Sequence, residues 1–103
     1  MTAVESYDRH PEPILFRVGV DEHFDYRSIP TFKNLCNDKL DREALVIVDM
    51  ARTHYADSSG IALLRCLNHW IRAPRVTVQV INCTPQMRRI LSGCRLAENI
   101  TIN

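Results

Sequence analysis

Hydrophobic residues fall into two rhythms along this chain. In "ILFRVGV", residues 14–20, Ile14, Phe16, Val18 and Val20 take every second position, the period of a strand with one buried side. "ALVIVDM", 44–50, is almost continuously apolar and rich in β-branched residues, which predicts a central strand covered on both faces. "RVTVQVI", 75–81, alternates through Val76, Val78 and Val80, and Ile100 and Ile102 predict a short closing strand. Between these runs the period lengthens to three and four. Ile29, Phe32, Cys36 and Leu40 predict an amphipathic helix of about three turns, with Ser28 as its cap and Pro30 in its first turn. "SGIALLRCLNHWIR" carries a wide apolar stripe of Leu63, Leu64, Leu67, Trp70 and Ile71, opposed by a polar stripe of Arg65, Asn68, His69 and Arg72. Pro74 ends that segment. Thr84 and Pro85 supply an N-cap and a first helical proline for a third helix, whose inner face is Met87, Ile90, Leu91 and Cys94 and which Gly93 can stop.

Strand, helix, strand, helix, strand, helix, strand is the order of an α/β fold: a layered sandwich with a largely parallel or mixed sheet of four to five strands and three to four helices. One domain is expected over 14–103. Residues 1–13 read as an N-terminal arm interrupted by Pro11 and Pro13, with a short first strand possible near Ala3 to Tyr7.

Composition narrows the partners. The net charge is +1, and the 11 arginines and 2 lysines are scattered, so no footprint for nucleic acid or an anionic membrane stands out. Arg88, Arg89 and Arg95 make the densest basic spot and read as a solvated face. The four cysteines, Cys36, Cys66, Cys83 and Cys94, form no C-x-x-C pair and suit a reducing compartment. The four histidines, His10, His23, His54 and His69, show no metal-ligand spacing. The N-terminus is charged throughout and no apolar run approaches ~18 residues, so a soluble, cytoplasmic protein without a membrane contact of its own is expected.

In a parallel α/β sheet, chemistry gathers at the carboxyl ends of the strands. Two loops qualify: Asp21, Glu22, His23 and Asp25 after Val20, and His54, Tyr55, Asp57, Ser58 and Ser59 after Met50. A serine-hydrolase elbow needs G-x-S-x-G, and "ADSSG" has glycine on one side only. A phosphate-cradling loop needs clustered glycines, whereas Gly19, Gly60 and Gly93 are far apart. A receiver domain wants a lysine after its last strand, and no lysine follows Lys39. No catalytic constellation, metal or cofactor is expected.

Two readings of the serine pair remain open on the residues alone. Serine is a favoured N-cap and Asp57 favours the helix dipole, which explains both without a function. Alternatively, a serine exposed at a helix N-terminus can carry phosphate, because the dipole and free N–H groups tolerate the dianion. Asp57 and a neighbouring Asp25 would then form an acidic patch able to eject a partner, and Gly60 would let a partner's backbone come close.

"VIVDMARTHYADSSGIALL" resembles the STAS domain, specifically the anti-sigma factor antagonists (anti-anti-sigma factors) of bacteria. The family's D-S-S-G motif falls at Asp57, Ser58, Ser59 and Gly60; its first-loop F-D falls at Phe24 and Asp25; its N-x-x-P-x-x-R-x-I-L falls at Asn82, Pro85, Arg88 or Arg89, Ile90 and Leu91. The resemblance runs from about Ile14 to Ile102. "GVDEHFD" departs from the family by extra residues between Gly19 and Asp25, so the loop is longer or the strand ends later. The resemblance implies phosphorylation at Ser58. It implies a partner surface of Asp25, Tyr55, Ala56, Asp57, Ser58, Ser59 and Gly60 with the helix residues Arg65, Asn68 and His69. The partners it implies are an anti-sigma factor that is also a GHKL-type serine kinase, and a PP2C-type phosphatase, free or as a module of a response regulator. ATP and metal would belong to those enzymes. The family also holds constitutive adaptor subunits of membrane transport ATPases, in which Ser58 would only cap a helix.

Overall fold

Four parallel strands lie side by side in the order β1 (Ile14–Gly19), β3 (Ala44–Asp49), β5 (Val76–Ile81) and β6 (Ile100–Ile102) in a computed structural model that describes residues 12–36 and 39–103. Helices α1 (Ile29–Lys33), α2 (Ser58–Trp70) and α3 (Pro85–Ser92) connect them, giving the expected α/β architecture. The expected arm or first strand before residue 12 lies outside the described residues.

The register turns alternation into layers. Phe16, Val46, Val78 and Ile100 stand opposite one another across the sheet, as do Val18, Val48, Val80 and Ile102. Val46, Val48, Val78 and Val80 are fully buried and share one core with Phe32, Leu64, Leu67, Met87 and Leu91 from the three helices. Burying each such side chain contributes roughly 1.5–3 kcal/mol, so this face dominates the stability of the domain.

The opposite face corrects one expectation. β3 is central, with a strand on each side, but Leu45, Ile47 and Asp49 are only half-buried, and Leu15 beside Leu45 is exposed. All helices of the described chain cover the same side. β3 reads as doubly covered because its outward positions are Leu and Ile, where β1 and β5 place Arg17, Thr77 and Gln79.

The first helix starts earlier and is less regular than its spacing predicts. A 3₁₀ turn at Tyr26–Ser28 leads into α1, and a second follows at Asn34–Cys36. Ser28 is not the cap: its backbone is already helical, and Asp25, in extended conformation, caps the turn by accepting from the Arg27 N–H. Pro30 sits in the first turn of α1 as expected. The ends of α3 follow the sequence reading, whereas α2 stops at Trp70, before the Ile71 and Arg72 expected on its stripes. Thr84 caps α3 by accepting from the Met87 N–H at 3.1 Å, with Pro85 at the first position, and Gly93 ends it in a right-handed conformation.

Two short strands are not visible in the hydrophobic pattern. β2 (His23–Phe24) pairs in parallel with β4 (Tyr55–Ala56), and these are the residues that lengthen the first loop: β1 does end at Gly19, and the extra residues build β2. No helix among the described residues is long and apolar enough to cross a membrane.

Thr53 pins the loop that leads to β4. It is completely buried, its hydroxyl donates to the Val20 carbonyl at 3.1 Å, and its own carbonyl accepts from the Thr84 hydroxyl at 3.2 Å. Replacing it with an isostere that cannot donate leaves a buried carbonyl short of a partner. Thr53→Val is expected to cost about 1–2 kcal/mol, measured as a lower urea midpoint at unchanged slope.

Candidate functional site

The β2–β4 pairing brings the two loops singled out by sequence into one site. His23 stands opposite Tyr55 and Phe24 opposite Ala56. The Glu22 carbonyl accepts from the N–H groups of His54 and Tyr55, and the Phe24 carbonyl from that of Asp57 at 3.3 Å. Asp25 and Asp57 therefore leave the paired segment side by side.

Gly60 is what allows this approach. It is buried, and a Cβ there would stand 2.1 Å from the Phe24 carbonyl oxygen. The glycine makes room for the chain's own backbone rather than for a partner's, which corrects the expectation for this residue. Ala56 is likewise buried and turns its side chain to the core. Neither residue offers a side-chain surface.

At the start of α2 the two readings of the serines separate. Asp57, not Ser58, is the cap. It has extended backbone, and its Oδ1 accepts from the Ser59 N–H at 2.9 Å, the Gly60 N–H at 3.1 Å and the Ser59 hydroxyl at 2.5 Å. The Asp57 carbonyl takes the Ile61 N–H. Of the four N–H groups that a helix N-terminus leaves open, those of Ser59 and Gly60 go to the Asp57 carboxylate and that of Asp57 to the Phe24 carbonyl. Ser59 spends its hydroxyl on Asp57. Ser58 is the first helical residue, is exposed, and its hydroxyl makes no hydrogen bond among the described residues.

The electrostatics follow from those bonds. The Ser59 hydroxyl and the Gly60 N–H hold the Asp57 carboxyl below the usual carboxylate range, against the raising influences of desolvation and, after it, of Asp25. Asp25 is lowered first by its side-chain bonds to Arg27, whose guanidinium lies 2.8 Å from Oδ2. Sequence reasoning missed this pair; its signal is the D-x-R spacing at Asp25 and Arg27. The acidic patch is therefore partly neutralised. Tyr55 is half exposed, and the His23 ring meets it edge-on at 6.0 Å.

The polar stripe of α2 is exposed and extends the surface. Arg65 and His69 follow Ser58 by seven and eleven residues, which at 100° per residue puts all three on one face, spread over roughly 17 Å. Two members also have structural work. Arg65 donates from Nε and Nη2 to the Arg95 carbonyl, and Asn68 exchanges bonds with Asn99, so both hold the 95–99 segment that leads into β6. His69 and Arg72 show no such side-chain contact among the described residues. At the far side of the loop, Asp49 accepts from the Ala51 N–H, Asn82 and Arg17, and Asn82 takes a left-handed φ of 59°, a conformation asparagine tolerates. Among the described residues no three His, Cys, Asp or Glu side chains gather as a metal site.

Two outcomes test this construction. Gly60→Ala should cost about 2–3 kcal/mol by forcing α2 away from Phe24, with faster amide exchange at Asp57 as its local sign. The Asp57 pKa is depressed by folding, so the stability it lends is complete above the unfolded value of about 4 and is lost as pH falls through the folded value. In thermal melts Asp57→Asn should lie below the wild type at pH 7, and the gap should close on acidification below about pH 4.

A family profile described as STAS domain matches residues 5–103, nearly the whole sequence. No curated protein and no solved structure matches the chain. STAS domains are in general regulatory or binding modules rather than catalysts, which suits a site made of a cap, an ion pair and one uncommitted hydroxyl. With the profile spanning its sheet, its helices and the Asp57–Gly60 motif, this chain belongs to the STAS domain family.

Proposed function

We propose that this protein is an anti-sigma factor antagonist switched at Ser58. The unphosphorylated form binds an anti-sigma factor that is also a GHKL-type serine kinase, and that binding releases a sigma factor. Transfer of the γ-phosphoryl group of ATP to the Ser58 oxygen, with ADP leaving and the hydroxyl proton passing to a base of the kinase, ends the binding. A PP2C-type phosphatase, free or carried by a response regulator, restores it. ATP and metal are handled by those enzymes, and this chain is their substrate and ligand.

One observation carries the reading. Of the two adjacent serines, Ser59 is bonded to Asp57 while the Ser58 hydroxyl is exposed and uncommitted. A kinase needs a hydroxyl that a base can reach, and a helix that does not rely on it for capping. The physics of the off state follows. Phosphate adds roughly −1.5 to −2 charges beside Asp57 and Asp25. Because Asp57 already holds the first-turn N–H groups, the dianion is not drawn into the helix end and stays at the surface, where like charge and bulk oppose a docked partner. The surface it would disturb comprises Asp25, Tyr55, Asp57, Ser58 and Ser59, and along α2 Arg65, Asn68 and His69.

The test is a capture experiment from the native lysate with three baits: unmodified protein, protein with genetically encoded phosphoserine at position 58, and Ser58→Ala. A serine kinase or anti-sigma factor is expected on the first and third and at least tenfold depleted on the second. Equal capture by all three, above all of a membrane transport ATPase, would replace the switch with a constitutive adaptor. Ser59→Ala should retain the partner and its loss on phosphorylation, at the cost of some thermal stability.

A further inference from the structure

A cavity of about 800 Å³ lies between the two loops that leave the carboxyl ends of β1 and β3, where parallel sheets commonly hold ligands. Its size is that of a small-molecule site. Charges of both signs line it, Asp21 and Glu22 against Arg27 and Arg52, and Phe32 and Ala51 supply apolar wall. The switch proposed at Ser58 makes no use of this space.

The two guanidiniums are held differently. Arg27 is chelated by Asp25, which accepts from its Nε, Nη2 and backbone N–H. Arg52 and Asp21 meet through a single bond, 2.6 Å from Nη2 to Oδ1, and their side chains are 76% and 85% exposed. A pair so open to water is weakly held. The side chains of Glu22 and His54 have no hydrogen-bond or ion-pair partner among the described residues, and both line the cavity. A ligand entering here therefore meets one pair that opens easily, one spare carboxylate and one spare imidazole. An anion on Arg52 would leave Asp21 and Glu22 uncompensated side by side in sequence. A cation on those carboxylates would leave Arg52 without its partner. Only a ligand of both signs opens the pair and compensates each half.

We propose that this cavity binds a free amino acid with an apolar side chain. Its carboxylate takes Arg52, which matches a carboxylate in a bidentate way, and accepts from the His54 imidazole. Its ammonium is shared by Asp21 and Glu22, and its side chain lies against Phe32 and Ala51. Bound in this way, the ligand ties residues 21–22 to residues 52–54. These segments flank the two-residue ladder of β2 and β4, and the Glu22 carbonyl already accepts from the His54 and Tyr55 N–H groups. Occupancy thus firms the pairing that sets Asp25 beside Asp57, whether or not Ser58 is modified.

The experiment is an NMR titration of the ¹⁵N-labelled protein with L-phenylalanine, L-phenylalaninamide and N-acetyl-L-phenylalanine. The first carries both charges, the second only the ammonium and the third only the carboxylate. With the amino acid, saturable shifts centred on residues 21–23 and 51–54 are expected, at a Kd of about 1 mM or below. Amide exchange at His54 and Tyr55 should slow at saturation. The two single-charge compounds should bind roughly fivefold more weakly or worse, and Arg52→Gln and Glu22→Gln should each weaken the amino acid by a similar factor. Both substitutions are at exposed side chains and leave the Glu22 carbonyl in place. The absence of a saturable shift with L-phenylalanine, equal binding of the three compounds, or an affinity that neither variant changes overturns the proposal. No kinase and no phosphate enter this titration. Its failure would count against the amino-acid site alone, and failure of the capture experiment against the switch alone.

Discussion

The contact between the Phe24 backbone and Gly60 sets the rest of the site. A parallel pair only two residues long has little stability of its own, since isolated short ladders are marginal in water. It persists because the first turn of α2 lies directly on it and because Phe24 is sunk into the core against Phe32, their rings 5.5 Å apart. Remove that closeness and Asp57 no longer meets the Phe24 carbonyl, Asp25 no longer stands beside Asp57, and the two loops become independent surface segments. One missing side chain therefore couples the hydrophobic core to the geometry around Ser58.

The same economy governs the sheet. Its four strands run parallel with their carboxyl ends at one edge, and every loop of interest leaves from that edge. Thr53 ties the end of β1, the loop after β3 and the cap of α3 through one buried hydroxyl and one carbonyl. Asp49 and Asn82 tie the ends of β3 and β5 in a similar way at the surface. Such cross-links keep the loops from moving separately, and a binding module needs that rigidity if it is to present a fixed face.

Much of this was legible in the residues. The β1, β3 and β5 patterns, the apolar stripe of α2 and the Thr84–Pro85 start of α3 all follow from period and cap chemistry, because those positions answer to local rules. What escaped depends on distant partners. β2 and β4 are too short to show a period and exist only through each other. The role of Gly60 is set by Phe24, far away in sequence. The continuous apolar run of β3 signals burial without saying how many faces are covered. At the helix start the motif falls on Asp57 to Gly60, but composition alone does not say which of Asp57, Ser58 and Ser59 caps. Hydrogen-bond geometry assigns that task to Asp57. The D-x-R of Asp25 and Arg27 was visible, yet its pairing shows only once the turn is built.

Because Asp57 alone closes the first turn, α2 does not depend on what Ser58 carries. A group can be attached there and removed again without unwinding the helix or loosening the core. The two chemical forms would then share one set of cap bonds and one arrangement of the first turn. The difference between them would lie at the surface, legible to a molecule that touches it.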